Sequence, residues 1–113
     1  MTKLLLTIVL CILPCVTFAE DYSSDRMADT VNKAVRQKCQ WDWPDDFKMQ
    51  AYCVKQQLIA VLVLLAGKPQ DIKQEQFLVI RKKCAVEWLD DFQMRAYCER
   101  MQFDGVRELD AGR

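Results

Sequence analysis

The sequence predicts an all-α protein: two tandem αα-hairpins, each closed by a disulfide, packed as a small four-helix domain. Three observations carry that expectation. A 20-residue pattern occurs twice at a constant offset of 45. Apolar residues recur at steps of three and four through most of the chain. Four cysteines fall at matching places in the two copies.

Residues 1–19 stand apart from that pattern. Lys3 is followed by a 13-residue, almost wholly apolar run from Leu4 to Val16, then by Thr17-Phe18-Ala19. A single cation, an apolar stretch and small residues at the last and third-last positions form the layout of a secretory signal peptide cleaved after Ala19. The run is short for a bilayer-spanning helix, which needs about 20 residues. An uncleaved anchor is the alternative. A lipidated Cys15 is disfavoured because Pro14 stands where a small residue belongs. The remaining residues, 20–113, form a single domain made of two units, about 24–66 and 71–109. Of the six cysteines, Cys39, Cys53, Cys84 and Cys98 lie in it. Export to an oxidising compartment, secreted or periplasmic, makes disulfides the default reading of an even count.

The first helix is expected over about 25–39. Ser23-Ser24-Asp25 offers caps, and Met27, Val31, Ala34 and Val35 recur at helical spacing. A six-residue loop follows. Asp45 is the expected cap of the second helix, with Asp46 in its first turn. Phe47, Ala51, Val54, Leu58, Val61, Leu62 and Leu65 then make a stripe. Gly67 and Pro69 stop that helix in the usual order.

The second unit repeats the plan. Ile72, Val79, Ile80 and Cys84 suggest a third helix over about 71–84. Asp90 with Gln93 reads as a capping box, and Leu89 with Met94 as a hydrophobic staple. Phe92, Ala96, Phe103 and Val106 continue as a fourth helix, with Gly105 a weak point inside it. Eleven of 20 positions are identical between 38–57 and 83–102, and Arg36/Arg81 extends the match. The identical pairs include Lys38/Lys83, Asp46/Asp91, Phe47/Phe92 and Gln57/Gln102.

The spacing sets the disulfide pairing. Cys39 ends one helix and Cys53 lies about two turns into the next, roughly 11 Å along its axis. The loop between them rises and descends by a similar amount, so the two thiols meet at one level. Cys39 is therefore expected to pair with Cys53 and Cys84 with Cys98; the other two pairings stay open and would make each copy depend on the other. A zinc site would show shorter Cys spacings, and a redox-active pair a C-x-x-C setting. Neither is present, so no metal and no cofactor are expected.

Composition limits function. The chain has no His, which removes Ser-His and Cys-His nucleophile pairs and His-ligated zinc. Sixteen basic and 16 acidic residues leave no surplus for tracking phosphates, so no nucleic-acid partner is expected. The acidic sets Asp42, Asp45, Asp46 and Glu87, Asp90, Asp91 read as helix caps; no calcium-loop pattern accompanies them. Trp43 and Trp88 read as lids on a small core. Tyr52 and Tyr97 read as hydroxyls bonded to the opposite loop. The cations Lys33, Arg36, Lys38 and Arg81, Lys82, Lys83 read as a solvated face at helix C-termini. Trp41, which has Val86 as its counterpart, is a candidate exposed contact.

The run Leu58-Ile59-Ala60-Val61-Leu62-Val63-Leu64-Leu65-Ala66 differs in kind, because it is apolar on every side of the helix. It is too short to span a bilayer. Its surplus must meet the other hairpin, a second chain or a membrane surface. The candidate binding surface is thus Trp41, Leu58, Ile59, Val63 and Leu64. The expected function is a small exported binding or structural protein without catalysis, acting through a protein partner or self-association. The alternatives are a secreted enzyme or inhibitor using the paired Asp-Asp/Trp loops, and a protein held at a membrane surface through residues 58–66.

Overall fold

The structure is a computed structural model that describes residues 24–113. The expected export segment, residues 1–19, and the cap expected at Ser23 lie outside the described residues. Four helices follow in order: α1 Ser24–Asp42, α2 Phe47–Leu65, α3 Gln74–Glu87 and α4 Phe92–Ala111. Both expected disulfides are present. Cys39–Cys53 and Cys84–Cys98 each join the two helices of one unit, with Cα atoms 5.7 Å apart. Such bonds belong to an oxidising compartment.

α1 runs a turn beyond the expected end, which places Trp41 and Asp42 on a helix rather than in a loop. Lys38 donates to Asp42 one turn on, at 2.6 Å, and the Trp43 amide donates to the Cys39 carbonyl. Lys83 and Glu87 repeat the pair in α3. The connection inside each unit therefore shrinks to residues 43–46 and 88–91, four residues instead of six.

The caps also sit one residue later than expected. Asp46, not Asp45, accepts from the Met49 amide at 3.0 Å, and Asp91, not Asp90, accepts from Met94 at 3.0 Å. Asp45 instead holds φ at +61°, a left-handed turn that Asp tolerates better than most side chains. The capping box at Asp90–Gln93 does not form, and Leu89 of the expected staple stands exposed. Gln50 and Arg95, at equivalent positions, donate to the Trp43 and Trp88 carbonyls and brace each turn.

α2 stops as expected: Ala66 closes it and Gly67 takes φ +80°. The connection to α3 is folded back on itself. Lys68 Nζ donates to the carbonyls of Pro69 and Ile72, and Ile72 is buried. α3 consequently begins at Gln74, three residues later than expected, with Gln76 accepting from the Lys73 amide.

The helices pack in the spatial order α1, α2, α4, α3. Each hairpin closes on itself, and the two meet through their second helices. The core is small: Val35, Cys39, Ala60, Ile72, Phe77, Ile80 and Cys84 are its buried apolar residues. Phe77 stacks on Phe103 at 6.2 Å between α3 and α4.

Candidate functional site

The two units do not pair about a two-fold axis. Gln57 of α2 meets the start of α4: its Oε1 accepts from the Phe92 amide at 2.8 Å and the Gln93 amide at 3.3 Å, and its Nε2 donates to Asp91 at 2.9 Å. A turn or two further on, Arg81 of α3 donates to the Leu64 carbonyl of α2 at 2.7 Å and holds Glu99 of α4 at 3.0 and 3.1 Å. Contacting positions of α2 and α4 are thus 35 apart, whereas equivalent positions of the units are 45 apart. The helices run parallel with a ten-residue stagger, roughly 15 Å. The C-terminal half of the first α-helix pair's α2 lies along the N-terminal half of α4.

This junction holds the buried polar groups. Gln57 is 3% exposed and Glu99 5% exposed, and both are fully bonded. Arg81 was expected on a solvated face; instead it lies over the Phe77 ring at 4.7 Å and ties three helices together. Lys38 reaches from α1 to Asp91 at 3.8 Å. Burial lowers the proton affinity of its ammonium, but the hydrogen bond it donates to Asp42 and the charges of Asp91, Asp42 and Asp90 outweigh it and hold the pKa above the ordinary lysine value. Arg107 anchors α4 to the interunit connection through a bidentate pair with Asp71 at 2.6 and 3.1 Å. That hydrogen bond and charge hold the Asp71 carboxyl below the usual range.

The apolar run of α2 divides by face. Ala60 is buried against α4; Leu58, Val61 and Leu64 are half-buried; Ile59, Leu62, Val63 and Leu65 are exposed. On one side of the α2–α4 contact lies an open groove of 670 Å³, floored by Ile59, Val63, Leu64, Ala96 and Phe103. Arg100 stands at its rim with its guanidinium 5.3 Å over the Tyr97 ring. The groove brings Ile59, Val63 and Leu64 together as the sequence suggests. Leu58 and Trp41 are not part of it, and Trp41 projects from the end of α1 at 87% exposure.

Other expected site residues have local duties. Asp46 and Asp91 cap two different helices. Trp43 and Trp88 stay partly exposed rather than covering a core, and Tyr52 and Tyr97 are exposed. Among the described residues, no three Cys, Asp or Glu side chains converge as metal ligands. No described helix is long and apolar enough to cross a membrane.

Sequence reasoning missed Gln57, Arg81 and Glu99. The identity of Gln57 with Gln102 was the available signal, because a polar residue repeated on an otherwise apolar stripe marks a polar contact. No protein-family model, curated protein or solved structure matches the chain.

Proposed function

We propose that the chain is a small exported protein without catalysis that works by binding another polypeptide, secreted or in the periplasm. The observation that carries this reading is the 670 Å³ groove between α2 and α4. Its apolar residues are held outward on a rigid support: two disulfides and the Gln57 and Arg81 junctions fix the helices that form it. A concave apolar floor with a cationic rim suits a helical or extended segment with apolar side chains and an acidic flank. One carboxylate of each Asp-Asp loop, Asp46 and Asp91, is occupied in capping, which favours binding over acid–base chemistry.

Photo-crosslinking from position 63 in the exported protein tests this. Adducts with a polypeptide should form from Val63 and not from exposed Glu75 on the far helix. The variant Val63→Asp should remove them while leaving both disulfides in peptide maps. Equal yields from the two positions would overturn the reading. Recovery of the protein on lipid vesicles without a polypeptide adduct would favour the membrane-surface alternative.

A further inference from the structure

The junction between the units is of the head-to-tail kind, and such a junction leaves one unused face at each end. The tail of the first unit, the C-terminal half of α2, is seated on the second unit. It places Val61, Leu64 and Leu65 in a groove of 210 Å³ whose other walls include Arg81, Ala85, Phe92, Arg95 and Glu99. Subtracting the 45-residue offset gives Arg36, Gln40, Phe47, Gln50 and Val54 in the first unit. Those five residues, with Ala51, line a separate groove of 320 Å³ between α1 and α2. The seat therefore exists twice. In the second unit α2 forms one wall of it and leaves Phe92 half-buried; in the first no described helix does so, and its Phe47 is 77% exposed.

The matching tail also exists twice. The second unit's version is the C-terminal half of α4. Gln102 stands for Gln57, Val106 for Val61, Leu109 for Leu64, and Gly105 for the buried Ala60. The Gln102 side chain makes no hydrogen bond to any described residue, and Leu109 is 72% exposed. Gly105 costs its helix about 1 kcal/mol relative to Ala, and among the described residues nothing beyond its own helix backbone lies within 4 Å of where a side-chain carbon would stand. A small residue suits a place where another helix comes close, as the buried Ala60 does.

We infer that a second copy of this chain occupies the open seat, with the α4 tail of one molecule lying in the α1–α2 groove of the next. Gln102 then takes the place of Gln57 at the exposed start of α2, accepting from the Phe47 and Lys48 amides and donating to Asp46. Lys83 faces Asp46 as Lys38 faces Asp91. Arg36 meets the Leu109 carbonyl as Arg81 meets that of Leu64. Position 54 carries Val where position 99 carries Glu, so Arg36 lacks the carboxylate that Arg81 has in its own unit. The incoming tail supplies one, since Asp110 stands where Leu65 lines the filled groove. The inference rests on the reading of the chain as a protein-binding module, but it uses surfaces other than the Val63 groove.

Sedimentation of the exported, disulfide-bonded protein across a hundredfold concentration range tests it. The mean mass should climb past that of two chains without a plateau at the dimer, or settle at a ring. Phe47→Asp blocks the seat and Leu109→Asp blocks the tail; each variant alone should remain monomeric at every concentration. Both positions are exposed, so helicity and disulfide maps should match the parent. An equal mixture of the two should form a dimer, because one variant keeps a sound tail and the other a sound seat. A parent chain that stays monomeric, a dimer indifferent to both substitutions, or a mixture that stays monomeric would each overturn the inference. Persistence of the Val63 adducts in either variant would show that the reading of the binding groove survives such a failure.

Discussion

Gln57 shows how one side chain can set the relation between two halves of a protein. A helix start leaves amides without partners, and here Asp91 covers one while Gln57 covers two more from another helix. Truncation by Gln57→Ala strips acceptors from two part-buried amides and should lower stability by about 2 kcal/mol. Gln102→Ala, at the repeated but unbonded position, should change the stability of the isolated monomer by less than about 0.5 kcal/mol. Urea denaturation of both variants at low concentration checks the contrast. Equal losses would mean that Gln57 acts through helix propensity and not through the junction. The sequence could not assign these roles. Gln57 and Gln102 are the same residue in the same local pattern, and only the stagger of the two hairpins separates them. Arg81 and Glu99 were equally hidden, since their pairing depends on how α3 and α4 approach the end of α2.

At the scale of elements, much was legible because local rules decide it. Four helices, the stop at Gly67 and the pairing of each disulfide follow from spacing within about 20 residues. The boundaries were less legible where two adjacent residues could do the same job. Asp45 and Asp46 are both competent caps, and so are Asp90 and Asp91. The structure gives Asp45 the turn and Asp46 the cap. Asp46→Ala should therefore cost about 1 kcal/mol of stability, as loss of a helix cap does. Asp45→Gly should be neutral or stabilising, because glycine adopts φ near +61° without strain. Thermal melts of the two variants check this, and the reverse order would return the cap to Asp45. The extra turn of α1 has a similar origin: the Lys38–Asp42 pair spans the stretch by which the helix continues past Cys39 to Asp42.

For the whole molecule, the buried apolar core is slight, and much of the α2 stripe is exposed. Covalent closure then carries a large share of the stability. Each bridge closes a loop with a sequence separation of 14, worth about 3 kcal/mol on the chain-entropy account. Cys39→Ser with Cys53→Ser should lower the stability of the folded chain by about that amount while the Cys84–Cys98 bond still forms. Denaturation followed by non-reducing peptide mapping checks both parts. Failure of Cys84 and Cys98 to pair in that variant would show that the units depend on each other for oxidation. Each disulfide lies within one hairpin, and the polar contacts between the hairpins centre on Gln57 and Arg81.

The ten-residue stagger gives the protein a front and a back. Hairpins related by a dyad would consume both of their sticky sides on each other. A lengthwise step consumes one and leaves its twin over. Growth by a third 45-residue segment would accordingly need no newly invented joint, only reuse of the one already built between Gln57 and Phe92.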